Sequence, residues 1–298
     1  VRSDVPDRVP STDDVVLAVH DLDAARGPAP SPDTRPLLLL AHATGFHGRV
    51  WEPFAAALTD RFRVVSWDFR GHGDSLPPAD EAFRWKGFGE DVCAVLDALG
   101  LGAAGGPRPF ACGHSKGGAA LLMAELARPG TFAGLWLFEP IVPPPMTIPG
   151  PTENGNRLAN GARRRREVFA SKAEAEANYA SKPPLGIFDP AALHAYVDHG
   201  FAEQPDGTVR LKCRGEWEAR VFEMGGQHGT FERLGEIRCP VTIAAGAEAP
   251  LSPASFAPVA AERIPGCRFV RFDDLDHFGP LEQPTRMAEA AASAFLSG

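Results

Sequence analysis

No stretch of 18 consecutive apolar residues occurs in this chain, so a membrane-spanning helix is not expected. Residues 1–10 lack the apolar core of a signal peptide. Positive charge is in deficit, with 30 Lys and Arg against 38 Asp and Glu. The resulting net charge of −8 argues against nucleic acid or an anionic membrane as a partner. Cysteine is scarce. Cys93, Cys112, Cys213, Cys239 and Cys267 are odd in number, widely scattered and free of any C-x-x-C, which argues against a disulfide framework or a metal cluster. Cys93 and Cys112 lie in apolar runs and read as buried thiols. No P-loop is present, and the one G-x-G-x-x-G, Gly100 to Gly105, follows an expected helix and precedes a strand, the reverse of the nucleotide-binding arrangement, so a nucleotide cofactor has no support; no cofactor and no metal are expected. The simplest compartment is cytoplasm, and the expected partner is a small-molecule substrate, with a homodimer left open.

What is present is ordinary globular composition: 298 residues, 44% hydrophobic and 23% charged, enough for one large α/β domain or a domain plus an insertion. Twenty-nine prolines and 31 glycines fit many short loops between buried elements. Residues 1–12 read as a loose arm, 14–20 as a strand and 27–36 as a Pro-rich loop. Leu37 to Ala41 is a continuous apolar run of the kind found in strands buried on both faces. Helices are expected over 49–59, 88–99 and 117–128, and strands over 62–67 and 132–138. From 142 to about 237 no convincing buried strand occurs. A Pro-rich linker (142–151), helical stretches around 158–180, 190–201 and 216–224, and a hairpin or loop over 204–213 are expected there. Alternation then resumes with strands over 241–245 and 267–272 and helices over 254–264 and 282–296. Strand–helix alternation on both sides of a helical insert describes a doubly wound, mostly parallel sheet carrying a cap. The division is 1–141 and 238–298 for the core and 142–237 for the cap.

The stretch that organises the chain is Phe110 to Gly118, read as the end of a buried strand, a sharp turn carrying Ser115, and the start of a helix. Gly113-x-Ser115-x-Gly117 matches the G-x-S-x-G nucleophile elbow, where a tight strand-to-helix turn leaves no room for Cβ atoms two residues to either side of the serine. The helix that follows aims its free N–H groups at the serine. The plainer account of Ser115 is an N-cap serine.

With His42-Ala-Thr-Gly45, Asp68-Phe-Arg-Gly-His-Gly-Asp-Ser75, the elbow and the late Asp276-His277-Phe278-Gly279 in this order, the chain resembles a capped serine hydrolase of the α/β-hydrolase fold. The resemblance covers nearly everything outside the cap and implies that fold, with the cap inserted after the sixth strand. It implies Ser115 as nucleophile, His277 as its base, and an oxyanion hole from the N–H groups of Thr44 and Lys116. Two carboxylates compete for the third position. Glu139 ends a strongly apolar strand, where some branches of the family place a glutamate, and is favoured. Glu248 is one residue early in a loop whose Ala249-Pro250 replaces the family's aspartate. Ser115 stands where epoxide hydrolases and haloalkane dehalogenases of this fold carry aspartate, which argues against alkyl-enzyme chemistry.

Other polar features read as structural. His114 and His72 belong to tight packing beside the site. The run Arg163 to Arg166 is taken as a helix that turns most of its charges to water. His194, His199 and His228 are taken as ordinary residues of the insert, and Trp217, Phe222 and Met224 as its core. The expectation is a cofactor-independent hydrolase of an ester, lactone or related acyl bond. The same triad acting on a thioester or C–C bond, or a non-hydrolytic lyase, cyclase or ligand-binding member of the fold, is the alternative.

Overall fold

The computed structural model describes residues 5–23, 33–102, 105–145, 156–249 and 252–296. In chain order its elements are β1 (Arg8–Pro10), β2 (Val16–Asp21), β3 (Leu37–Ala41), a 3-10 turn (Gly48–Trp51) leading into α1 (Glu52–Ala56), β4 (Arg63–Trp67), α2 (Trp85–Ala98), β5 (Phe110–His114), α3 (Lys116–Ala127) and β6 (Gly134–Phe138). After β6 come α4 (Arg157–Arg163), β7 (Val168–Phe169), α5 (Lys172–Ala180), α6 (Pro190–Gly200), β8 (Phe201–Glu203), β9 (Val209–Leu211), α7 (Gly215–Glu223) and α8 (Thr230–Arg233). The chain returns through β10 (Val241–Ala245), α9 (Pro253–Arg263), β11 (Arg268–Arg271), α10 (Gly279–Glu282) and α11 (Pro284–Leu296).

Eight strands form one sheet in the order β1-β2-β4-β3-β5-β6-β10-β11. β1 and β2 run antiparallel to their neighbours, and the rest pair in parallel. The apolar runs are continuous because both faces are covered. Along β3, Leu37, Leu39 and Ala41 join the core on one face while Leu38 and Leu40 join that on the other; β6 divides likewise into Leu135 and Leu137 against Trp136 and Phe138. Helices α2, α3 and α9 cover the first face, α1 and α11 the second. Each buried Leu or Phe among them contributes about 1.5–3 kcal/mol relative to exposure. Gly100 (φ 69) stops α2 by taking the left-handed position that closes a helix.

Four expectations are corrected. The arm over 1–12 contains a strand, since Val9 is buried opposite Leu17 and the segment pairs with β2 at the sheet edge. The expected helix over 158–180 is broken: α4 ends at Arg163, β7 intervenes, and Ser171 restarts the chain as α5 by accepting the Glu174 N–H. β7 joins β9 and β8 in a three-stranded antiparallel sheet, so the segment between β6 and β10 is not purely helical. The last helix is divided before Pro284, whose ring suits the first position of a helix and not its interior. The Pro-rich loop before residue 33 and the linker beyond 145 lie outside the described residues.

Candidate active site

Ser115 joins β5 to α3 at φ 54, ψ −116, a conformation that costs a non-glycine residue about 1–3 kcal/mol. An N-cap serine is extended and bonds its hydroxyl to a helix N–H. Ser115 does neither. The flanking glycines show why the turn demands them. A methyl group on Gly117 would lie 2.2 Å from the Ala41 carbonyl oxygen, one on Gly113 2.7 Å from the Gly118 backbone, and one on Gly118 2.9 Å from Pro140 Cβ. The start of α3 is thus wedged between the ends of β3 and β6. Ser115 N–H donates to the Phe138 carbonyl (3.0 Å), and its own carbonyl accepts from Ile141 N–H (3.2 Å), clamping the strained turn to the end of β6.

Glu139 follows β6 directly and has φ 45. It is 1% exposed, and its backbone N–H donates to Ala244 O at 2.8 Å. Oε1 accepts from Gly246 N–H (2.8 Å), and Oε2 lies 2.6 Å from His277 Nδ1. A carboxylate can only accept, so His277 Nδ1 carries the proton of this bond and Nε2 faces away from Glu139. The His277 carbonyl accepts from His114 Nε2–H (2.7 Å), and the two rings lie 4.9 Å apart. Burial pushes His114 well below the ordinary histidine range, so it is a neutral strut beneath the His277 loop. Glu248 is elsewhere: its side chain is 72% exposed and comes only within 4.0 Å of Arg271. Among the described residues no hydrogen bond joins Ser115 Oγ to His277. Such bonds are often long until substrate is bound.

Ala41 of β3 stands opposite Gly113 of β5, so the loop carrying Thr44 and the turn carrying Ser115 leave the sheet side by side. Thr44 is half-buried, and Lys116 N–H belongs to the unbonded first turn of α3. Beneath them the loops are stitched together. His42 donates from Nδ1 to Ala43 O (2.7 Å) and accepts Phe69 N–H at Nε2 (2.9 Å), while burial, reinforced by the Lys116 charge, drives its pKa well down. Asp68 accepts Gly48 N–H (2.6 Å) and Asp74 N–H (2.8 Å); burial opposes its charge, yet His20 at 3.0 Å helps hold it at about 2. The Lys116 side chain turns into the core, with Nζ 4.5 Å and 4.6 Å from the ring centres of Phe69 and Phe88 and 3.4 Å from His72 Nε2. Burial pushes that ammonium down to about 7.

The arginine run meets its expectation in part: Arg163, Arg164 and Arg166 are exposed, but the helix and Arg165 depart from it. α4 stops at Arg163, so the four residues do not share a helix. Arg165 turns inward, 19% exposed, onto Glu218 of α7 and the hydroxyls of Tyr179 and Tyr196. The sequence carries no local signal for this, because the partners lie on three other helices. Cys112 is buried, whereas Cys93 is only half-buried. His194, His199 and His228 contact nearby side chains or backbone: Glu176, Glu52 with Asp198, and Thr230 with Ile141. Trp217 packs at the edge of the main core, and Phe222 packs against Ala159, Ala162 and Ala219.

A mostly parallel, doubly wound sheet with a strained serine turn at its carboxyl edge is the architecture of an α/β hydrolase. The profile of the "Alpha/beta hydrolase family" matches residues 38–290, and the chain belongs to that family. It is 28% identical over 239 residues to "Putative carbamate hydrolase RutD" of a Caulobacter species, covering 80% of this chain and 81% of the relative. Over 101 residues, 34% of this chain and 35% of the relative, it is 33% identical to "3-oxoadipate enol-lactonase 1" of Acinetobacter baylyi. Among solved structures, E-2-(acetamidomethylene)succinate hydrolase superposes with a TM-score of 0.78 at 19% identity over 98% of both chains, a likeness of fold.

Proposed function

We propose that the protein is a cofactor-independent serine hydrolase that opens an ester, lactone or related acyl bond through Ser115, His277 and Glu139. The observation that carries this reading is the 2.6 Å contact between Glu139 and His277 Nδ1 at the sheet edge that also holds the strained Ser115 turn. With Nδ1–H committed to Glu139, Nε2 takes the Ser115 hydroxyl proton as Oγ attacks the substrate carbonyl. The oxyanion is received by the N–H groups of Thr44 and Lys116. Collapse of the tetrahedral adduct expels the leaving group, which takes the proton from Nε2 and leaves an acyl-serine. Water then attacks with His277 again as base and releases the acid. The enol-lactone and carbamate in the relatives' names both present an acyl carbon to such a nucleophile. The segment between β6 and β10 serves in this reading as the cap that shapes the acyl pocket.

The test is labelling with a fluorophosphonate. The wild-type protein is expected to react covalently at Ser115, and Ser115→Ala, with an unchanged melting curve, to remain unlabelled and lose at least about 10³-fold in kcat on a p-nitrophenyl ester. An unlabelled wild-type protein would remove the nucleophile assignment and leave a ligand-binding or lyase role.

A further inference from the structure

The inward turn of Arg165 ends at the oxyanion loop. Its Nη1 donates to Glu218 Oε2 at 2.5 Å, and its Nη2 donates to the hydroxyls of Tyr196 and Tyr179. The side chains are 19% and 9% exposed, so the pair is largely out of water. The other carboxylate oxygen, Glu218 Oε1, sits over Gly45, the residue after Thr44. A methyl group there would lie 2.5 Å from Oε1 and 3.5 Å from Arg165 Nη1. Gly45 has φ 82, so a glycine is required on conformational grounds as well as for space. Tyr196, which holds Arg165, also packs on the next two residues of the same loop, with ring centres 5.3 Å from Phe46 and 5.9 Å from His47.

This arrangement raises an electrostatic problem. A carboxylate packed on the loop that must receive a developing negative charge opposes the reaction, and the opposition is strong where water is excluded. Arg165 supplies the neutralising charge. Building on the serine-hydrolase reading above, we propose that Arg165 and Glu218 are positioning residues for the oxyanion hole. Glu218 packs Gly45 and so holds the Thr44 N–H in place, and Arg165 cancels the carboxylate charge that would otherwise raise the barrier. The substrate consequence is that the pair is internally satisfied and makes no demand for a charged acyl group, so neutral acyl esters are accepted.

A double-mutant cycle tests this, read as the rate of fluorophosphonate labelling and as kcat and KM on neutral p-nitrophenyl esters. Arg165→Met leaves Glu218 uncompensated and is expected to lower kcat and the labelling rate tenfold or more with little change in KM. Arg165→Met/Glu218→Gln removes both charges and is expected to recover to within about threefold of wild type. Arg165→Lys is expected to stay within a similar factor. If the single variant fails to fold, the double variant still decides, since its near-normal rate is required. A folded double variant as slow as the single one overturns the proposal. So does an Arg165→Met protein that labels at the wild-type rate, or one whose loss is confined to KM for anionic esters, which would make Arg165 a substrate-carboxylate ligand. Failure of the wild-type protein to label at all defeats the serine reading and this one together, and is thereby distinguished from the other outcomes.

Discussion

At the scale of single residues, two strained positions share one edge of the sheet. Ser115 (φ 54) and Glu139 (φ 45) are both non-glycine residues in the left-handed half of the map, each directly after a strand. Each is held by the neighbouring strand's end, Ser115 through Phe138 O and Glu139 through Ala244 O. Strain of this kind persists only where surrounding bonds over-determine it, and it recurs at sites where a side chain must be presented at one angle. The two candidate acids then separate by experiment. Glu139→Gln removes the negative charge facing Nδ1–H and the preference for the working tautomer, so kcat is expected to fall by about 10²–10⁴. Glu248→Gln, at an exposed carboxylate 4.0 Å from Arg271, is expected to stay within about tenfold. Kinetics on both variants with the same ester decide it; the reverse order would hand the role to Glu248.

At the scale of elements, α3 carries two duties on one residue. In the proposed mechanism Lys116 offers its backbone N–H to the oxyanion, while its side chain fills the space between β4's continuation and α2, against Phe69 and Phe88. A lysine there titrates at about 7, against about 10.4 in an unfolded chain. Between those values the unfolded chain holds the extra proton, so stability rises with pH from about 7 to about 10.4 and is flat below. The full swing is on the order of 5 kcal/mol. Lys116→Met removes it. Urea unfolding of both proteins at pH 7 and pH 9.5 is expected to show the variant's relative stability declining as pH rises; a gap independent of pH would contradict the assignment. The elements also show which local signals were readable. β3 stands where its unbroken apolar run puts it, β10 matches the expected 241–245, and Gly100 ends α2 within a residue of expectation. The break between α4 and α5 was written in Ser171-x-x-Glu174, a helix-start signature masked by the good helix formers around it.

Across the whole molecule, the antiparallel edge of the sheet is tied to the loop that follows β4. Arg70 and Asp91 are both fully buried and meet at 2.8 Å and 3.0 Å, and the same guanidinium reaches Asp13 and Thr12 beside β1. A buried pair is expensive to break from one side because the remaining charge has no water. Asp91→Asn is expected to cost about 3–5 kcal/mol of global stability by urea unfolding. A loss below about 1 kcal/mol would mean that Asp13 alone satisfies Arg70.

The elbow, the order of the motifs and the two-faced strands follow from chain-local chemistry: Gly113 and Gly117 from steric crowding at a turn, apolar runs from burial on both sides of a sheet. His277, the base of the proposed mechanism, was singled out by the resemblance through its place after the last strand. The proposed acid was favoured and not fixed, because Glu139 and Glu248 are both single carboxylates at strand ends, and only parallel pairing of β6 with β10 sets Glu139 between Gly246 N–H and His277. Arg165 is the sharper case. Within four consecutive arginines nothing distinguishes it, and its inward course depends on Glu218, Tyr179 and Tyr196, which lie 14 to 53 residues away. Side-chain pairing at such separations depends on how helices pack, which is decided by the burial of the whole chain and not by any stretch of it.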